Sequence, residues 1–181
     1  MFYVSEIHTD APKGFGTPLQ EKTYGALAEL GIAFERVETD EAITMEDCVA
    51  IDAALDMKMV KTLFLCDRKK EHFYICVTTG GKHFSSKSFA HSAGVARVSF
   101  APPELMAKML GTKIGAATVF SALLESARDV RIYIDKDVLE EEFYGCSDGT
   151  TTGYMKIRTS DITEKFLPHA GHAPVVIELQ E

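Results

Sequence analysis

The chain has 181 residues, 46% of them hydrophobic and 25% charged, a composition ordinary for a globular domain that can enclose a core and a pocket without a metal or disulfide. With 19 Lys and Arg against 27 Asp and Glu, the net charge of −8 excludes a protein that gains affinity by coating a phosphate backbone, so any nucleic-acid contact must be local. No apolar run reaches the roughly 20 residues of a membrane helix and the first residues carry no basic-then-apolar leader, so a cytoplasmic protein with no membrane partner is expected.

Residues 1–16, with Pro12, Gly14 and Gly16, show no sustained periodicity and read as an irregular arm; 17–181 read as one domain. Thr17, Pro18 and Gln20 predict a capped helix start, and Gly31 a left-handed stop. A short strand over Ile32 to Val37 follows, then a helix capped by Thr44 and running to about Leu55. Met59 to Cys66 and His72 to Thr78 form a hairpin across the charged turn 67–71 and are placed at the centre of the sheet. A short helix ends at Gly94, Ala96 to Phe100 is a strand, and Pro102-Pro103-Glu104 opens a helix that stops at Gly111. Ala116 to Leu124 is apolar and ambiguous. Val130 to Ile134 reads as a strand, Asp137 to Glu142 as an acidic turn or helix, and Gly145 to Gly153 as a loop. Tyr154 to Ile157 is a strand, Asp161 to Leu167 a helix and Pro174 to Leu179 a final strand. Hairpin-length links between interleaved strands and helices predict a mixed α/β (α+β) fold, with a mixed, largely antiparallel sheet or barrel wrapped by helices.

Three segments could carry chemistry. Lys61 stands inside the apolar run Met59 to Leu65, where an ammonium must reach water, a partner or a pocket, and could meet a phosphate or an oxyanion. Gly111 to Thr118 is a glycine-bounded stretch whose backbone N–H groups could approach a ligand, although it is no Walker motif. Ser147 to Gly153 is dense in hydroxyls that could bond a sugar, an ester or a water, yet such loops are ordinarily turns. Cys48, Cys66, Cys76 and Cys146 form no C-x-x-C pair and read as buried thiols. No H-E-x-x-H, G-x-S-x-G or G-x-G-x-x-G is present, and His169 with His172 lacks companion ligands, so neither metal nor cofactor is expected. The local basic spots are Arg68-Lys69-Lys70, the group Lys82, His83 and Lys87, and Lys108 with Lys113.

These segments in this order resemble the YbaK/ProX family of aminoacyl-tRNA editing domains, which also occurs as the insertion domain of bacterial prolyl-tRNA synthetases. The resemblance runs over about residues 18 to 179, through Leu30-Gly31-Ile32, Lys61 to Leu65, Leu110 to Thr118, Asp161 to Leu167 and the tail from Gly171-His172 to Leu179. The length and extended tail look like the stand-alone ProX type, sometimes called PrdX.

The resemblance implies strands wrapped by helices around a pocket for the aminoacyl group at the tRNA 3′ end, and hydrolysis of a mischarged tRNA such as Ala-tRNA(Pro) or a related small-amino-acid error. The family's pocket lysine falls on Lys61, and its glycine and hydroxyl positions fall on Gly115 and Thr118. Its K-N pair is Lys61-Thr62 here, and its H-P-x-x-N loop becomes Ser147-Asp148-Gly149-Thr150-Thr151. On this reading Lys61, Gly115, Thr118, Ser147 and Thr151 serve catalysis, while Thr62, Ala116, Ala117, Gly149, Thr150 and His172 serve substrate binding. Lys61 would anchor the terminal phosphate or ribose, N–H groups around Gly115 to Thr118 would hold the carbonyl, and a loop hydroxyl would orient water. The rival reading is a non-catalytic module that binds aminoacyl-tRNA or a small metabolite. A complex with a synthetase or an elongation factor is one route by which an acidic protein could gain affinity for tRNA.

Overall fold

Thr17 starts the first helix as its spacing predicts. In a computed structural model, which describes residues 1–180, its hydroxyl accepts from Gln20 N at 3.1 Å. The Gln20 carboxamide reaches back to Gly16 N at 2.7 Å, one residue before the position a capping box would use. Helix α1 (Pro18–Leu30) ends at Gly31, whose φ of 67° lets its N–H turn back to the last carbonyls.

The strands form two sheets. β1 (Phe34–Glu38), β7 (Gly153–Arg158) and β6 (Phe143–Ser147) make an antiparallel three-stranded sheet in the order β1-β7-β6. The larger sheet runs β4-β2-β3-β5-β8, from β4 (Val98–Phe100), β2 (Val60–Asp67), β3 (Phe73–Thr79), β5 (Arg131–Asp135) and β8 (Val175–Ile177). β4, β2 and β3 are antiparallel, whereas β3-β5 and β5-β8 are parallel. A parallel bridge between Met59 and Gly145 joins the sheets at the start of β2. The expected mixed, largely antiparallel architecture is thus present, with the 59–79 hairpin at its centre.

Alternation along β3 explains that position. Ile75 and Val77 face the main core with Phe64, Ile132, Ile134, Met155, Ile157, Leu27 and Phe166, while Tyr74 and Cys76 face a second cluster with Phe89 and Tyr133. Phe89 belongs to α3 (Ser86–Ala93). A third cluster packs α2 (Val49–Leu55) through Ile51 and Leu55 onto Val37 and Tyr154 of the small sheet.

Several boundaries differ from the sequence reading. Helix α2 begins at Val49 rather than after Thr44, because Asp47 Oδ2 accepts from Ile43 N and Thr44 N and ties 43–48 into turns. α4 (Pro103–Leu105) widens into a π-type turn, Met106–Leu110. The ambiguous segment holds a 3-10 turn, Val119–Leu123. α5 (Lys136–Leu139) fills the acidic segment, and the expected 161–167 helix spans α6 (Thr159–Asp161), a π-type turn (Ile162–Phe166) and α7 (Leu167–His169). Gly145, Cys146 and Ser147, read as loop, belong to β6. The N-terminal residues, read as irregular, touch the edge of β1 through isolated bridges Val4–Thr39 and His8–Arg36.

Candidate functional site

Lys61 enters the site because β2 presents it two residues after Met59, where a bridge joins the two sheets' ends. Around this junction lies a cleft of about 450 Å³. Its walls are Met59 to Phe64 of the β2 segment, Ala42 to Met45 with Cys48, Ile114, Gly115 and Ala117, Cys146 and Ser147 of β6, Tyr154, and Phe100, Ala101 and Met106. Most of that lining is apolar. Lys61 Nζ donates to Lys82 O at 2.7 Å, which fixes the ammonium while leaving two of its three protons for a ligand. Thr62 also lines the cleft; beneath it the phenol of Tyr144, pushed well above its ordinary range by burial, has no hydrogen-bond partner among the described residues.

The residue whose carbonyl holds Lys61 is itself anchored by its side chain. Lys82 Nζ donates to Asp135 Oδ2 at 2.7 Å, Asp137 Oδ2 at 2.8 Å and Leu179 O at 3.1 Å. Asp135, 0% exposed, also accepts from Thr78 Oγ1 at 2.7 Å. Burial alone would raise the Asp135 carboxyl, but the hydrogen bonds from Lys82 and Thr78 outweigh it and hold it below the ordinary range. For Lys82, burial pulls down and the two carboxylates push up; the carboxylates win.

On the opposite wall three segments are braced together. Thr112 Oγ1 donates to Gly149 O at 2.9 Å. Glu41 Oε1 accepts from Lys113 Nζ at 2.9 Å and from Thr151 Oγ1 at 3.1 Å, and the hydrogen bond from Lys113 leads in lowering its carboxyl. Tyr154 Oη donates to Ala42 O at 2.9 Å. Gly115, at φ 91°, passes so close to the 41–47 segment that a Cβ there would stand 3.0 Å from Ile43 Cα. Among the described residues the N–H groups of Ile114, Gly115 and Ala117 at this wall make no hydrogen bond, whereas Ala116 N–H is taken by Lys113 O at 3.0 Å.

Lys61, Thr62, Gly115, Ala117 and Ser147 therefore share one cleft, while Ala116, Thr118, Gly149, Thr150, Thr151 and His172 do not line it. Thr118 is fully buried and caps the turn beneath, accepting from Phe120 N. Gly149 serves as a brace, Thr150 Oγ1 donates to Asp148 Oδ1 at 2.7 Å, and Thr151 is committed to Glu41. His172, whose ring burial pushes down, follows α7. Ser147 Oγ donates to Thr150 O at 2.6 Å and accepts from Gly149 N at 3.0 Å, so towards the cleft it can only accept.

The sequence reading did not single out Asp148, whose Oδ2 accepts from Gln20 Nε2 at 2.9 Å and Tyr24 Oη at 2.8 Å, anchoring α1 to the β6-β7 loop. Nor did it place Phe100 or Ile43 at the cleft; both are exposed apolar side chains, a signal that emerges only once the fold is known. All four cysteines are buried and unbridged. Burial pushes the Cys48 thiol up to about 11 and that of Cys146 higher, so neither thiol in the cleft is a ready nucleophile at neutral pH. Among the described residues no three His, Cys, Asp or Glu side chains gather to hold a metal, and no helix is long and apolar enough to cross a membrane.

A crystal structure described as a candidate trans-editing enzyme for prolyl tRNA synthetase has the same fold, with a TM-score of 0.67 at 18% identity over 91% of this chain and 99% of that one. Residues 39–165 match the family described as aminoacyl-tRNA editing domain, and the chain belongs to that family. By class it is an aminoacyl-tRNA deacylase, a hydrolase of a carboxylic ester, as the resemblance to YbaK/ProX proteins implied. It is 26% identical over 153 residues to the prolyl-tRNA editing protein ProX of Acetoanaerobium sticklandii, covering 84% of this chain and 93% of that protein. It is 24% identical over 153 residues to prolyl-tRNA synthetase associated domain-containing protein 1 of Danio rerio, covering 83% and 82%.

Proposed function

We propose that the chain acts in trans on tRNA(Pro) carrying a small wrong amino acid, with alanine first, and releases it by hydrolysis of the 3′ ester. The observation that supports this reading is that Lys61 lines one largely apolar cleft together with Gly115 and Ala117, whose N–H groups make no hydrogen bond among the described residues. An aminoacyl ester is already activated, so orientation and stabilisation of the developing oxyanion are the main requirements. The Gly115 and Ala117 N–H groups would receive the oxyanion, and Lys61 would hold the terminal ribose or phosphate. Ser147 Oγ, able only to accept, would orient the attacking water. No histidine or carboxylate lines the cleft, so the proton of that water would pass to the substrate's own ribose hydroxyl or amine. The apolar walls around Met45, Met59 and Ala117 suit a short side chain, and rejection of proline would be steric, since one methylene of apolar contact discriminates by only about 1–3 kcal/mol.

That no histidine or carboxylate lines the cleft to take a proton from water is also what favours the second reading, a module that binds aminoacyl-tRNA or a small metabolite without hydrolysing it. A panel of tRNA(Pro) charged with alanine, cysteine, serine and proline separates the two. The proposal expects alanine released fastest and proline spared; binding with no ester hydrolysed above the buffer rate would favour the non-catalytic module.

A further inference from the structure

Beyond the cleft, the chain's unpaired cations are not evenly spread. The edge strand β4 carries Phe100 at the cleft, and Arg97, the residue just before the strand, lies in an open groove shared with Arg68, Lys69, Val98 and Ser99. Arg97 also lines an adjoining groove with Lys87. Arg68, Lys69, Lys87 and Arg97 are exposed and make no ion pair among the described residues. The carboxylate in the first groove is Asp67, and it is occupied: it accepts from the ring of His72 at 2.7 Å and from Glu71 N at 2.8 Å. In a chain of net charge −8, this leaves a local positive track.

We propose that this track binds the phosphates of a single-stranded RNA 3′ end whose last nucleotide enters the cleft. At about 3.3 Å per strand residue, Phe100 and Arg97 lie roughly 10 Å apart, a span of one to two nucleotides. Phe100, 61% exposed and backed by Phe84 at 5.7 Å, offers a fixed aromatic face on the way into the cleft. An aromatic face followed by a basic groove is the combination that holds single strands without reading sequence. The proposal rests on the deacylase reading for the polarity of the strand, while RNA binding itself is measurable without hydrolysis.

The test uses a fluorescein-labelled acceptor stem-loop RNA ending in CCA, with anisotropy read from 50 to 200 mM salt. The variant Arg68→Ala/Lys69→Ala/Arg97→Ala is compared with the parent and with Lys22→Ala, an exposed lysine on α1. The triple variant is expected to bind at least tenfold more weakly at low salt. The slope of log K against log salt should flatten by about 2, from three phosphate contacts at about 0.7 each. Hydrolysis of 3′-alanyl-adenosine, which lacks the strand, should stay at the parent rate. Parent-like affinity and slope in the triple variant, or an equal loss in Lys22→Ala, would overturn the proposal. If the parent hydrolyses no ester at all, the deacylase reading fails while the anisotropy result still decides the groove.

Discussion

Replacing Lys82 by Met keeps most of the aliphatic stem and removes the cation that pairs with Asp135, so it isolates the buried charge pair beneath the site. The carboxylate of Asp135 would remain fully buried with Thr78 Oγ1 and Asp137 N as its donors. Stranding one member of a buried pair typically costs 3–5 kcal/mol, and the lower end, about 3 kcal/mol, applies because Lys82 keeps 11% exposure and Asp137 is more open still. For a chain of this length that is a fall in Tm of roughly 6–12 °C. Urea unfolding followed by circular dichroism gives the free energy, and Lys82→Met/Asp135→Leu, which removes both charges, should recover at least half of the loss. Because the Lys82 ammonium anchors the segment whose backbone carbonyl receives Lys61 Nζ, deacylation at a temperature where the variant is folded should also slow. A Lys82→Met protein within 1 kcal/mol of the parent, or one no better in the double variant, would mean that the Lys82–Asp135 pair does not brace this part of the fold.

The same pair sets a pH window. Asp135 is held below its ordinary range, so its contribution is present above about pH 4 and is lost as pH falls through the folded value; Lys82 is raised, so its contribution is present below about pH 10 and is lost as pH rises through the folded value. Unfolding free energy measured across pH should carry both losses in the parent and neither from this pair in the double variant. Lys61→Ala should lower kcat by about 10²-fold with little change in Tm, since losing the contact that positions the reacting end of a substrate can cost that much; an unchanged kcat removes Lys61 from the site. Gly115→Val adds a Cβ against Ile43 at a positive φ, with an expected cost of about 1–3 kcal/mol in melting experiments and a loss of kcat/KM as the cleft wall shifts. Ser147→Ala should cut kcat several-fold and disturb the turn that its hydroxyl closes on Thr150 O, visible as faster amide exchange over 147–153.

Much of this frame was legible in the residues themselves. Thr17, Pro18 and Gly31 mark α1 because caps are local, and the unbroken apolar run of β3 marks a strand buried on both faces. β6 was not legible: Gly145, Cys146 and Ser147 look like a loop, yet they pair with β7, and the strand carries a glycine at 145 where a Cβ would stand 2.7 Å from Met57 Sδ. The arm's bridges to β1 were hidden for want of any alternation in residues 1–16. Within the site, Lys61 announced itself as a charge in an apolar run. What sequence order could not show is which hydroxyls turn away: Thr118 into a cap, Thr151 onto Glu41, Thr150 onto Asp148. Those fates depend on partners 2 to 110 positions away.

The central claim is that this cleft cleaves an aminoacyl ester. The most direct test is a single-turnover assay with the protein in excess over Ala-tRNA(Pro), reading free alanine against time beside a buffer blank. The account expects release at least tenfold above the blank, abolished in Lys61→Ala. Release at the blank's rate by a folded, RNA-binding protein would contradict it.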